Sequence, residues 1–261
     1  MTQSEVFVSR PDPAVAVVTI DRPARRNALN LRAWRDLAGN FRALAAMREV
    51  RLVILTGAAG HFCAGADISE FAQARADSAS GAVYDREVAA AYEAIRALPQ
   101  PSVAAIAGSC VGGGCAIALC CDFRVMHQGA RFGIPATKLG TIYAIEECRF
   151  LLSIVGLANA KRILYGSELF VAAAARDMGF ADAVVDGEVV ESAIAFGAGM
   201  MANAPLAITG AKLILQSLAG TDVERRRSEI EALTRQALDS ADYREGAAAF
   251  LEKRPARFTG S

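Results

Sequence analysis

The hydrophobic rhythm of this chain changes several times, and each change predicts an element. Residues 14–23, AVAVVTIDRP, alternate apolar and small side chains and stop at a proline, the pattern of a strand running into a loop. Residues 29–47 switch to helical spacing, with Leu31, Trp34, Leu37, Phe41 and Leu44 along one face. VRLVILTGAAG (50–60) returns to an apolar run and ends in a glycine turn, which predicts a second strand. HFCAGADISEF (61–71) reads as a loop feeding a helix, and AQARADSASG (72–81) as a mobile stretch shaping a pocket edge. PSVAAIAGS (101–109) predicts a third strand. It runs into SCVGGGCAIALCCD (109–122), where three glycines open an apolar helix. Residues 121–135 turn back into short strands, and from about Ala144 nearly everything has helical spacing.

Alternating strands and helices over the first two thirds imply an α/β architecture with parallel pairing. The remaining segment reads as a helical extension. Composition agrees with a folded chain: of 261 residues, 53% are hydrophobic and 21% charged, enough to bury a sizeable core. Lys plus Arg equals Asp plus Glu, 28 against 28, so there is no basic surplus of the kind that general nucleic-acid binding requires. Arg225, Arg226 and Arg227 are interleaved with Glu224, Glu229 and Glu231, which suits a solvated helix face. No uninterrupted apolar run reaches about 18 residues, so no membrane span is expected, and the first residues lack the layout of a signal peptide. The six cysteines (63, 110, 115, 120, 121 and 148) form no CxxC pair or small disulfide framework, and a reducing cytoplasm is the expected compartment. His61 and Cys63 make too small a cluster for a metal site.

Glycine-rich turns before helices commonly cradle phosphates through backbone N–H groups. Here neither G-x-G-x-x-G nor G-K-[ST] is present, so neither a dinucleotide fingerprint nor a P-loop applies. Close packing of helix on strand would also call for glycines. A second turn changes the balance: FCAGADISEF (62–71) places Ala64 and Gly65 in another strand-to-helix connection. Two such loops can aim two N–H groups at one oxygen, an oxyanion hole suited to a thioester whose carbonyl becomes an enolate. Gly113, at the positive end of its helix, adds the helix dipole.

The chain resembles the crotonase (enoyl-CoA hydratase/isomerase) superfamily. The matching stretches are DRPARRNALN (21–30), VRLVILTGAAGHFCAGADISEF (50–71), PSVAAIAGSCVGGGCAIALCCDFRV (101–125), ARFGIPATKLG (130–140) and DSADYREGAAAFLEKRPARF (239–258), in the family's order. The resemblance implies a spiral of ββα turns over residues 1–200, which binds the acyl-CoA, and a helical region over 201–261 that makes contacts in a homotrimer or a hexamer of two trimers. It implies an acyl-coenzyme A substrate and no cofactor beyond it. Ala64 and Gly113 would supply the two oxyanion N–H groups. Ala28, Ala66, Asp67 and Ile68 would line the coenzyme A path, Arg26 would meet its phosphates, and Lys253 and Phe258 would help close the pocket, from the same or a neighbouring subunit. Asp67 would serve equally as a helix N-cap.

The sequence departs from the family where proton transfer is done. The two glutamates of the hydratases correspond to Ala116 and Ala136, and the aspartate of isomerase and hydrolase relatives to Ala144. Each missing acid–base group is worth roughly 10² to 10⁴ in rate. Tyr143 stands where the methylmalonyl-CoA-decarboxylating branch has a tyrosine, although the histidine of that branch's AGxD loop is Ala66 here. A protonated phenol would orient a carboxylate or protonate an enolate, and Tyr143 would equally anchor a loop. Glu146 and Glu147 are the nearest downstream carboxyls. They are candidate replacements, and also residues the helix dipole favours in a first turn. The expected function is thioester-enolate chemistry directed to decarboxylation or isomerisation, beside weak or redirected hydration through Glu146 or Glu147. A non-catalytic acyl-CoA binder and an RNA-binding homologue are the alternatives.

Overall fold

The computed structural model describes residues 4–70 and 78–261. Strands β1 (Val6–Asp12) and β2 (Val15–Ile20) form an antiparallel hairpin. From β2 the pairing becomes parallel, through β3 (Leu52–Gly57), β4 (Ser102–Ile106), β6 (Phe123–His127) and β9 (Ala183–Val185), which completes a six-stranded sheet. A smaller sheet joins β5 (Ser109–Val111), β7 (Arg131–Gly133) and β8 (Phe170–Val171).

Both faces of the large sheet are covered, which is why its central strands read as continuous apolar runs. Successive side chains alternate between the faces. Val18, Ile20, Val53 and Leu55 join one core with Trp34, Leu37 and Phe41 of helix α1 (Leu31–Ala45). Val15, Val17, Leu52 and Ile54 join a second core on the opposite face, against Val189 and Ala193 of α6 (Val189–Met201). The apolar face expected for α1 is the one buried: Trp34, Leu37, Phe41 and Leu44 are enclosed, with Asn30 capping the helix through the Ala33 N–H at 2.7 Å. Helix α2 (Ser78–Arg96) packs on α1, and α3 (Gly113–Cys120) is the short buried helix that the three glycines open.

Beyond residue 144 come α4 (Ile145–Gly166), broken at Gly156, then α5 (Ala172–Asp177), α6, α7 (Pro205–Gly220), α8 (Val223–Asp239) and α9 (Ala241–Glu252). The expected α/β architecture with parallel pairing is the one formed. Four strands escaped the pattern, among them β5, in the stretch read as the helix entrance. β1 exposes six of its seven residues, so it shows no apolar alternation, and β8 and β9 are only two and three residues long inside the region expected to be helical. Of the 72–81 stretch expected to be mobile, 72–77 lie outside the described residues and 78–81 form the first turn of α2.

Helix α7 is tied to the sheet by Lys212, whose Nζ lies 2.7 Å from Asp122 Oδ2; the same carboxylate oxygen accepts from the Ser102 N–H and hydroxyl, both at 2.8 Å. The arginine run on α8 is neutralised locally: Arg225 pairs with Asp222, Arg226 with Glu229 and Arg227 with Glu224. Among the described residues, no single helix is long and apolar enough to cross a membrane. Because the strands of the large sheet run parallel from β2 onward, the loops that follow β3 and β4 emerge at one edge, the carboxyl ends of the strands, where open α/β sheets place their crevices.

Candidate active site

At that edge two loops lie side by side. Residues 26–29 run along residues 64–67: the Ala64 N–H donates to Arg26 O (3.0 Å), the Leu29 N–H to Gly65 O (2.7 Å) and the Asp67 N–H to Leu29 O (2.9 Å). Ala66 sits between the last two bonds, as the partner of Leu29 in a parallel bridge. In such a bridge the central residue turns its own N–H and C=O away from its partner. The Ala66 N–H therefore faces the opposite side, toward α3.

Each of the three glycines opening α3 answers a different demand. Gly112 adopts φ 53°, ψ −114°, which a side chain would strain. Gly114 packs so closely on the other loop that a Cβ there would lie 2.2 Å from Cys63 O. Gly113 lies beside the other loop with room only for contact: a Cβ would lie 3.4 Å from the Ala66 nitrogen and 3.4 Å from Trp34 Cζ2. Among the described residues, the N–H groups of Ala66 and Gly113 have no hydrogen-bond acceptor. Two free donors thus meet at the entrance of a buried helix. This corrects the expectation for Ala64, whose N–H is spent on Arg26; the residue two positions on carries the free donor. Alternation along an extended segment puts 64 and 66 on equivalent phases, so the sequence alone offered no signal to choose between them.

The residues expected along the coenzyme A path are gathered here. Ala28 is buried, Ala66 half-buried, and Arg26 and Ile68 are exposed at the rim. Asp67 is buried and takes the expected capping role: its Oδ1 accepts from the Ser69 N–H (3.2 Å) and hydroxyl (2.6 Å). Its Oδ2 lies 3.0 Å from Arg22 Nη2. Burial opposes its charge, but the Ser69 hydroxyl and the Arg22 guanidinium overcome that and hold the carboxyl below its usual range. Arg22 also donates to Ala28 O, so it clamps both loops. Sequence reasoning missed Arg22 and the fully buried Asn27. Asn27 accepts from the Arg22 N–H (2.9 Å) and donates to Ala58 O (2.9 Å) and His61 O (2.6 Å), pinning the loop after β3. His61 is a loop residue as well, its Nδ1 accepting from the Ser109 N–H at 3.2 Å.

Behind the two donors the wall is apolar and aromatic. Ala116, one turn beyond Gly113, and Ala136 are both buried. Trp34 donates to the Tyr84 hydroxyl (2.9 Å) and meets Tyr92 edge-on, with centroids 5.7 Å apart. The helical spacing showed Trp34 only as part of a core face. Tyr143 reaches the head of α3, its hydroxyl 3.3 Å from Gly112 O. Burial, reinforced by the nearby Glu147 carboxylate, pushes this phenol well above its usual range, so it stays protonated.

The two glutamates are elsewhere engaged. Glu147 is the cap of α4, with Oε2 accepting from the Ala144 N–H (2.9 Å) and Oε1 from the Tyr92 hydroxyl (2.7 Å). Glu146 is exposed and pairs with Arg149 at 3.2 Å. Glu147 thus has one hydrogen bond on each carboxylate oxygen, and Glu146 is turned to solvent. The cysteines are packing residues: all six are thiols, and burial pushes Cys63 and Cys121 up to about 12. Cys115 sits 3.0 Å from Cys110 O and 3.3 Å from Gly133 O. No group of three or more potential metal ligands occurs among the described residues.

The structure does not bring Lys253 and Phe258 to this site within the chain. Lys253 is the exposed left-handed cap of α9. Phe258 packs at Gly246, and its carbonyl accepts from Arg51 Nη1 at 3.4 Å. Arg51 immediately precedes β3, whereas the donors lie beyond that strand's other end, about 20 Å away at the usual rise for six residues.

Comparison with known proteins gives the family. Residues 11–261 match the enoyl-CoA hydratase/isomerase family. The chain is 31% identical over 258 residues to the 2,3-dehydroadipyl-CoA hydratase of Escherichia coli, covering 98% of this chain and 99% of that one. It is 29% identical over 266 residues to the peroxisomal Delta(3,5)-Delta(2,4)-dienoyl-CoA isomerase of Arabidopsis thaliana, covering 97% and 96%. Among solved structures, an enoyl-CoA hydratase/carnithine racemase from Magnetospirillum magneticum superposes with a TM-score of 0.89 at 34% identity, over 100% of this chain and 97% of that one.

Proposed function

The chain belongs to the enoyl-CoA hydratase/isomerase family, a family of acyl-CoA-processing enzymes, and from that premise we propose that it holds a thioester enolate between the N–H groups of Ala66 and Gly113 and decarboxylates a malonyl-type acyl-CoA. The observation that carries the reading is the pair of unsatisfied donors beside buried Ala116 and Ala136, neither of which carries a carboxylate. Hydration needs a base to activate water, and isomerisation needs a group to shuttle a proton between carbons. Decarboxylation needs neither. The bond from the α-carbon to the carboxylate breaks, carbon dioxide leaves, and the electron pair passes to the thioester oxygen, where the two N–H groups and the α3 dipole receive it. The α-carbon then takes a proton from water.

Coenzyme A would lie along residues 26–29 and 64–68, with Arg26 at its phosphates. Assembly as a homotrimer, or a pair of trimers, belongs to the same proposal. Ile142, Ile145, Phe250 and Leu251 are 97, 78, 84 and 81% exposed in the single chain, which supports their burial against other copies.

The test is a mass-spectrometric panel of malonyl-, methylmalonyl-, enoyl- and dienoyl-CoA. Loss of carbon dioxide from a malonyl-type member, with crotonyl-CoA unchanged, is the expected result. Hydration of crotonyl-CoA without any decarboxylation overturns the reading. Tight binding with no turnover of any thioester would instead make the chain a non-catalytic binder, which the absence of carboxylates also favours.

A further inference from the structure

Gly112 O and Gly113 N belong to one peptide unit, so whatever grips that oxygen also aims the nitrogen's proton. The oxygen takes two hydrogen bonds. One comes from the Ala116 N–H at 3.1 Å, part of the helix, and the other from the Tyr143 hydroxyl at 3.3 Å, from a loop thirty residues on. We infer that Tyr143 is a positioning residue: its phenol holds the Gly112–Gly113 peptide in register and polarises it, so that the Gly113 N–H is a stronger and better-aimed donor to the thioester oxygen. The inference rests on the two-amide reading above and deepens it.

Three physical points support it. A peptide between two glycines rotates with little resistance, because neither flanking residue has a Cβ, and Gly112 already sits at φ 53°. With only the Ala116 bond, the unit is held from the helix side alone. Hydrogen bonds in series strengthen one another in a low-dielectric interior, so donation to the carbonyl increases the acidity of the N–H across the same amide. Finally, the hydroxyl's single proton is directed at Gly112 O. In this geometry it is not aimed at an α-carbon. The tyrosine therefore acts through the amide, without itself delivering the proton.

A spectroscopic readout separates these roles. [1-¹³C]Butyryl-CoA, which has no carboxylate to lose, is bound to wild type and to Tyr143→Phe, and the carbonyl stretch is read by isotope-edited infrared difference spectroscopy. Wild type should shift the band to lower frequency, and Tyr143→Phe should shift it less. Turnover of the malonyl-type thioester should fall by about tenfold or more, with KM within a few-fold, a fraction of the roughly 10²- to 10³-fold loss when an oxyanion donor is removed outright. Thermal melting confirms that the variant, which keeps the ring, is folded. An unchanged carbonyl shift overturns the inference: with reduced turnover it makes Tyr143 a direct acid, and with unchanged turnover a loop anchor. No shift in wild type removes the two-amide reading itself, and this inference with it.

Discussion

Gly113→Ala is the sharpest perturbation of the site, because the structure separates its effect on chemistry from its effect on folding. The φ of Gly113 is not positive, so alanine incurs no backbone strain, and at the first position of the helix it gains at most about 1 kcal/mol over glycine. The new methyl would meet the Ala66 nitrogen and Trp34 Cζ2 at 3.4 Å and Gly65 Cα at 3.6 Å, contacts that cost little. Net stability should stay within about 1 kcal/mol of wild type, a melting shift of roughly 2–4 °C in either direction. The chemistry is less forgiving. That methyl is bonded to the carbon next to one donor and stands in van der Waals contact with the other, so it crowds the point where a thioester oxygen must accept from both. Displacing the oxygen from one donor should cost about 2.7–4 kcal/mol, or roughly 10²- to 10³-fold in kcat. The assay is the initial rate of carbon dioxide release from the malonyl-type substrate found in the panel, beside a thermal melt of the same preparation. A folded Gly113→Ala protein that turns over within a few-fold of wild type would refute the placement of the oxygen between these amides.

Asp67→Asn should lower stability by about 2 kcal/mol at neutral pH, since it removes charge-assisted bonds to Arg22 and Ser69. Because the folded carboxyl is held below its usual range, that contribution is complete above the unfolded-state value near about 4 and disappears as the pH falls through the folded value. In urea titrations of both proteins between pH 7 and pH 3 the gap should therefore narrow below about pH 4, and a constant gap would contradict the account. For assembly, light scattering should give three or six times the 27.5 kDa chain mass, and a monomer in dilute solution would leave the exposed Phe250 and Leu251 unexplained.

Much of this protein was legible along the chain. The apolar runs of β2, β3 and β4, the helical face of α1 and the glycines at the head of α3 are local patterns, and local patterns survive in one dimension. The three alanines at 116, 136 and 144 are equally plain, and the resemblance implies that they stand where relatives carry acid–base groups. The sequence by itself therefore determined the α/β class and pointed to the two glycine loops that the fold brings side by side.

What it left open depended on partners far away in the chain. Ala66, and not Ala64, holds the free donor because Arg26 and Leu29, more than 35 residues earlier, take the neighbouring N–H groups; hydrogen-bond phase in an extended loop is set by its partner strand. Glu147 was visible as a candidate acid, but only the fold shows its two oxygens bonded to Tyr92, 55 residues before it, and to the N–H at its own helix end. Tyr143 was visible as a phenol near the site, but only the fold turns its proton onto the Gly112 carbonyl. Phe258 carries a family-like tail motif, yet Arg51 anchors it at the opposite end of β3. Periodicity and composition record which side chains will be buried. The direction in which each N–H, hydroxyl or carboxylate then points is settled by long-range hydrogen bonds, and the tertiary structure alone decides them.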